Sequence, residues 1–405
     1  PRLGFAWDVL GDGKTKLFGA FGLFYDTMKY EMPRGSFGGD KWKDYVYPLD
    51  DPDILKLKAP APPNSPLSGF PKPFEIVDWR IPSNDPSDNT IDPNLKPMRR
   101  RVWDIGLERA LSDTMALNVR YTHNSLDRAI EDVGTLGAAG EIYFIANPGF
   151  GITVNPKTWD PGFPMTPKAK RNYDAVETRI EKRFSRNYTF VGSYTWSRLW
   201  GNYGGLASSD ENGRMSPNVN RYFDLPFMSY DKSGKEVLGL LATDRTHSFK
   251  FFGSYNLKSK VGATTFGPIF IAQSGTPLTT EVTMVSSTPI FVNGRGDLGR
   301  TPVYSQTDFL LAHEFKVSPK HEHLRVKVDM NVTNLFNQAT TVNSFAGYLH
   351  SNDGQVNFDH EADFFKGFDY QKMMTAQKLR TDPRFKLPND FLGPRDLRFG
   401  LHFYF

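Results

Sequence analysis

The 405-residue chain contains no cysteine. That removes a disulfide framework, a cysteine-based zinc site and a thiol nucleophile from consideration. Long apolar runs are missing as well. With a mean hydropathy of −0.47, no segment reads as a membrane-crossing helix. Charge of one sign is scarce: 49 Lys and Arg against 45 Asp and Glu leave a formal net charge of +4, too small for a dedicated nucleic-acid binder of this size. A GxSxG elbow, an HExxH pair, a phosphate-binding loop and a dinucleotide fingerprint are all absent, and no spacing of Ser and His suggests a triad. Neither an enzyme activity nor a cofactor is expected.

What is present is 14% aromatics, 35 Gly and 29 Pro, arranged around period-2 runs. In the last nine residues, Phe399, Leu401, Phe403 and Phe405 fall on one side, and Arg398, Gly400, His402 and Tyr404 on the other. Leu324, Val326, Val328, Met330 and Val332 alternate with Arg325, Lys327, Asp329 and Asn331. A transmembrane barrel hides its apolar residues among polar ones in this way, so low hydropathy does not exclude it. A soluble β-domain ending on such a strand would carry a sticky free edge.

The alternation predicts eleven strands, at 1–10, 15–28, 97–111, 114–132, 172–184, 188–202, 244–257, 263–282, 301–317, 323–342 and the C-terminal segment. Short turns are expected at Gly11-Asp12-Gly13-Lys14, Ser112-Asp113, Ser185-Arg186-Asn187, Lys258-Ser259-Lys260 and Ser318-Pro319-Lys320. The intervening connections, 29–96, 133–171, 203–243, 283–300 and 343–392, are long. Short turns at one end and long loops at the other are the pattern of an outer-membrane barrel. The expected fold is therefore all-β, a transmembrane antiparallel β-barrel with long extracellular loops. Eleven is odd, whereas single-chain bacterial barrels close with an even number, so the first and last strands run parallel. Pro1-Arg2-Leu3 carries no initiator Met, charged n-region or apolar h-region and opens directly on a strand. It reads as the middle of a longer polypeptide.

Several blocks resemble one family. Pro1-Arg2-Leu3-Gly4-Phe5-Ala6-Trp7-Asp8, Gly19-Ala20-Phe21-Gly22-Leu23-Phe24-Tyr25-Asp26, Tyr173-Asp174-Ala175-Val176-Glu177, Ser193-Tyr194-Thr195-Trp196-Ser197, Asp244-Arg245, Gln273-Ser274-Gly275-Thr276-Pro277 and Asn334-Leu335-Phe336-Asn337 are similar, in this order, to strands of TonB-dependent outer-membrane receptors of the Oar-like branch. The resemblance implies that residues 1–405 are the C-terminal half of a barrel of about 22 strands, with the plug, the TonB box and the N-terminal strands upstream. It also implies uptake of a scarce extracellular solute across the outer membrane of a Gram-negative bacterium. The implied partners are TonB, the plug and N-terminal barrel half, outer-membrane lipid, the barrel-assembly machinery and an extracellular solute or surface protein. A passive porin-like channel, a structural or surface-docking barrel and a soluble carbohydrate binder remain alternatives.

The C-terminal strand also resembles the insertion signal of outer-membrane proteins through Arg398, Gly400, Phe403 and Phe405. Aromatics of the long loops, Trp42, Tyr45, Tyr47, Trp79, Trp159, Tyr203, Tyr222 and Phe358, could stack on a ligand or pack the loops onto one another. Inward polar groups are expected at Glu177, Arg179, Glu181, Arg325, Lys327 and Asp329. Asp353, Asp359, Glu361 and Asp363 are weak Ca²⁺ candidates without the spacing of an EF-hand. His321-Glu322-His323 reads as a solvated turn, since neighbouring strand residues point to opposite faces.

Overall fold

A computed structural model describes residues 1–25, 43–46, 53, 56, 75–78, 90–137, 140–154, 162–205, 223, 225–285, 288–317 and 324–405. Eleven long strands form one antiparallel sheet: β1 (Arg2–Asp8), β2 (Thr15–Tyr25), β3 (Arg99–Ser112), β4 (Met115–Arg128), β5 (Arg171–Ser185) and β6 (Tyr188–Gly201). It continues through β7 (His247–Ser259), β8 (Gly262–Gln273), β9 (Tyr304–Lys316), β10 (Arg325–Thr333) and β11 (Asp396–Tyr404). Each strand pairs with its neighbours in sequence, so the sheet is a simple meander. Among the described residues no pairing joins β1 to β11, and both are edge strands.

The register sorts the side chains into two faces. Arg325 opposes Tyr404, Lys327 opposes His402 and Asp329 opposes Gly400, while Val326, Val328 and Met330 oppose Phe403, Leu401 and Phe399. Partners directly opposite share a face, so the polar set lines one wall and the apolar set the other. The apolar wall is uncovered across the sheet: Phe5, Trp7, Ile105, Leu107, Phe249, Leu257, Phe399 and Phe403 are all exposed. Water would oppose such a surface; the hydrocarbon of a bilayer would not.

On the polar wall, the expected inward groups meet partners from adjacent strands or, for Arg179 and Glu181, two residues along the same strand. Arg120 pairs with Glu177 at 3.3 Å, Arg179 with Glu181 at 3.0 Å and Arg325 with Glu314 at 3.0 Å. His402 Nε2 lies 2.7 Å from Asp329 Oδ1. A Cβ at Gly400 would sit 2.8 Å from that carboxylate. Gly400 is thus small because Asp329 crosses above it. Of the other C-terminal residues, Arg398 pairs with Asp396 on the polar side, and Phe403 stands on the apolar side. Phe405 follows the last strand and is almost wholly exposed.

The largest fully buried side chains belong to the long connections, among them Tyr203, Phe227, Phe364, Met284 and Ile290. The packed core therefore lies beyond one end of the sheet. The described parts of the connections contain small elements of their own. Glu131–Gly137 pairs with Gly140–Ala146, Val282–Met284 with Thr288–Ile290, and Thr341–Ser344 with Pro388–Phe391. Among the described residues a short α-helix, α1 (Tyr370–Ala376), starts with the Asp369 carboxylate accepting from the Lys372 backbone N–H.

Several strand ends differ from expectation. The fourth strand stops at Arg128 instead of 132, because the chain turns into the 131–146 hairpin. The eighth ends at Gln273 instead of 282, where Gly275 approaches Thr301 so closely that a Cβ would overlap its carbonyl oxygen. The tenth ends at Thr333 instead of 342, because Asn334 and Asn337 adopt φ of 53° and 52°. The β7–β8 turn sits at Lys260-Val261, two residues beyond the expected start, since the ladder continues to Ser259 opposite Gly262. The turn expected at Ser318-Pro319-Lys320 lies outside the described residues.

Candidate functional site

The long connections leave from the end of the sheet opposite the C-terminus, and their described parts pack into two main cores. Leu225, Phe227 and Met228 of the β6–β7 connection join Met284 and Ile290 of β8–β9 and Leu349, Phe364 and Met374 of β10–β11 in one core. Phe227 contacts Phe364 edge-on at 5.2 Å and stacks on Phe365 at 5.4 Å. A second core joins Val133 and Ala146 of β4–β5 to Tyr203, Phe223 and Phe291. Aromatic pairs of this kind add about 0.5–1.5 kcal/mol each beyond area burial.

Two polar clamps fix these cores to the strand ends. Arg300 donates to the carbonyls of Asp244 (3.1 Å) and Gly275 (2.9 Å), to Thr246 Oγ1 (3.0 Å) and to the Asp244 carboxylate. Asp244 also accepts from the Leu199 backbone N–H at 2.6 Å. At the other clamp Asn334 donates to the carbonyls of Gln338 (2.9 Å) and Gly393 (2.8 Å) and accepts from Gln338 N–H (2.9 Å). Its own N–H reaches Asp308 at 2.8 Å.

Between these clamps a cleft of about 740 Å³ opens at the outer end of β7–β11. Glu281, Arg295, Phe345, Asp382 and Arg384 are among its lining. Arg384 is held by the Asp382 carboxylate at 2.8 Å and lies over the Phe345 ring at 4.7 Å. Arg295 lies over Phe291 at the same distance. Guanidinium groups fixed in this way, beside hydroxyls and carboxylates, can orient a polar solute carrying both donors and acceptors. The volume falls within the usual range of small-molecule sites. Nothing local marks Arg300 in the sequence, since its partners come together only through the loop packing, whereas Asp382 and Arg384 pair with each other two residues apart and only their place at the cleft depends on it.

The predicted ligand aromatics are not gathered at this cleft. Tyr203 is fully buried against Phe223, and Phe358 packs on Phe364 and Phe368, so both hold the loop layer together instead of offering a stacking face. Tyr45 lies in a two-strand antiparallel pair, Lys43–Val46 with Glu75–Asp78, and is half-buried. Trp42, Tyr47, Trp79, Trp159 and Tyr222 lie outside the described residues, as do His321, Glu322 and His323.

The calcium candidates do not assemble. Among the described residues no three His, Asp or Glu side chains are arranged around a metal position. Asp353 is clamped by Arg380 and Asp363 by Lys366, so their oxygens are already engaged. The Arg380 guanidinium and backbone N–H hold the Asp353 carboxyl down at about 2, and Arg384 does the same for Asp382. A carboxyl depressed in the fold stabilises it fully above the unfolded value near 3.9 and loses that contribution as pH falls through the folded value. Pepsin cleavage between residues 349 and 387 is therefore expected to rise as pH falls from about 4 to 2. Asp353→Asn should lose part of that pH dependence, and an unchanged profile in the variant would refute the assignment.

Comparison with known proteins agrees with this geometry. The profile of the family described as "Outer membrane beta barrel domain" matches residues 1–298. The chain belongs to that family, and its place is the outer membrane of a Gram-negative bacterium. Along its whole length it is similar to the TonB-dependent transporter Oar of Myxococcus xanthus, with 27% identity over 435 aligned positions. The chain spans 38% of the length of that relative. Among solved structures, the outer membrane transporter YddB of Escherichia coli superposes with a TM-score of 0.48 at 9% identity, over 84% of this chain and 37% of its own. The ferripyoverdine receptor of Pseudomonas aeruginosa gives 0.43 at 11% identity, over 100% of this chain and 33% of its own.

Proposed function

We propose that residues 1–405 are the C-terminal part of a TonB-dependent receptor that takes up a scarce extracellular solute through a plugged barrel. The observation that carries this reading is the open eleven-strand sheet. An odd antiparallel set leaves β1 and β11 running the same way, so they cannot close on each other by antiparallel pairing, and the even barrel usual in single bacterial chains needs further strands. The similarity to a transporter more than twice as long supports the same reading. In it, an N-terminal half-barrel completes the wall and a plug meets the polar face. TonB draws on the plug from the periplasm, and the barrel-assembly machinery inserts the chain through β11 (Asp396–Tyr404). The cleft between the loop clamps receives the solute. The packed loop layer also favours a second reading, a surface-docking barrel without active transport.

Intact mass of the native protein extracted in detergent tests the architecture. A value near twice 45.9 kDa or more is expected, and a value near 45.9 kDa would overturn the fragment reading. Two measurements on the same material test the mechanism. A plugged receptor binds the purified periplasmic domain of TonB and stays closed in a planar bilayer. A porin conducts ions steadily, and a docking barrel fails to bind TonB.

A further inference from the structure

On the apolar wall, the columns of β3–β6 end in charge at the loop end of the sheet. Outward along β3, Leu107, Ile105 and Trp103 are exposed and lead to Arg101 and Arg99. Their neighbour on β4 is Asp127, next to the last residue of that strand. The β3–β4 register slips here, pairing Arg100 with Leu126 but Arg99 with Arg128. Asp127 is the extra residue of the resulting bulge, and bulges re-aim side chains in this way. Its carboxylate is 7% exposed and accepts from Arg99 Nε and Arg101 Nε, each at 2.7 Å. Two guanidinium groups are thus held side by side by one carboxylate.

A second group lies beside the first. Asp174 of β5 accepts from the Tyr121 hydroxyl and meets His123 Nδ1, both at 2.7 Å, and Trp103 packs on Tyr121 and His123. Arg198, exposed on β6, shares the lipid-side parity of Tyr194 and Trp196, which are also exposed. Three arginines therefore stand against two carboxylates, with a layer of Trp and Tyr immediately below. Charges placed in hydrocarbon are costly. This band instead sits at the headgroup level of the outer leaflet, where aromatic girdles end. Arg99 and Arg101 each turn Nε and one terminal nitrogen to Asp127, and Arg99 also meets the Tyr25 side chain. The second terminal nitrogen of Arg101 and the guanidinium of exposed Arg198, opposite Asp174, are the donors left over. Such donors match phosphate oxygens bidentately.

We infer that Arg99, Arg101 and Arg198 form a docking site on the outside of the barrel for the phosphate groups of an outer-leaflet glycolipid. Asp127 is the positioning residue. The charge balance is the selecting feature: a neutral sugar headgroup gains nothing from a net positive band, and a bridging cation is repelled by it.

Native mass spectrometry of the detergent-extracted protein tests the site. The probes are a bisphosphorylated glucosamine-disaccharide lipid and the same lipid after phosphatase treatment. The wild-type protein is expected to retain the phosphorylated form about tenfold better. The double change Arg99→Gln and Arg101→Gln should bring that preference close to one, while Lys372→Gln, at an exposed side chain of α1, should leave it intact. Equal retention of the two lipids by the wild type would overturn the proposal, as would an undiminished preference in the double variant. Should the double variant lose its heat-modifiable mobility on gels, Arg101→Gln alone carries the test through the same readout.

Discussion

Replacing Arg300 with alanine is expected to destabilise the folded protein by about 3–5 kcal/mol. The Asp244 side chain is fully buried, and Arg300 is the cation that neutralises it. A buried carboxylate stripped of its cation keeps the desolvation cost and loses the compensation. The loss is also distributed, because the same guanidinium ties the entry to β7 to the exit from β8. Urea unfolding followed by tryptophan fluorescence measures it. Adding Asp244→Asn to Arg300→Ala should recover part of the stability by removing the orphaned charge. Arg300→Lys should fall between, since an ammonium cannot span both carbonyls and the carboxylate. If Arg300→Ala unfolds at the wild-type midpoint, the clamp carries no weight.

Changing Asn334 to alanine is expected to cost about 4 kcal/mol, of which about 3 kcal/mol comes from three side-chain hydrogen bonds at about 1 kcal/mol each. Asn334 is 1% exposed, so the Gln338 and Gly393 carbonyls it serves lose their partner without gaining water. The left-handed backbone adds a further about 1 kcal/mol, because alanine tolerates that conformation less well than asparagine. The two contributions separate with Asn334→Gly, which keeps the backbone free and loses only the side chain. Glycine should therefore be the more stable variant, measured by the same unfolding midpoint. Alanine and glycine behaving alike would remove the backbone part of the argument. The chain after Asn334 reaches β11, since the Asn337 side chain accepts from Arg395 N–H at 2.9 Å. Loss of this turn should thus loosen the outer end of the last strand as well.

The sequence by itself determined the strand number, the short turns at one end and the sorting of each strand into an apolar and a polar side. Val326, Val328 and Met330 stand on the apolar wall and Arg325, Lys327 and Asp329 on the polar one because alternation is local: a residue's side follows from its neighbours two positions away. The Asn334-Leu335-Phe336-Asn337 motif was visible too, although its role as the stop of β10 was not. Tertiary structure decided where the strands end, which loop residues are buried and where charge gathers. Gly275 meets Thr301, and Asp244 meets Arg300 across 56 positions. Phe358 and Tyr203 are identical in kind to aromatics that could stack on a ligand, and only their packing against Phe364 and Phe223 makes them core. Asp127 follows the alternation up to the last turn of the ladder, where one bulged residue carries it between two arginines. Period-2 patterning specifies a face and not a partner. Partners are chosen by close approach between segments distant in the chain, which no local pattern encodes.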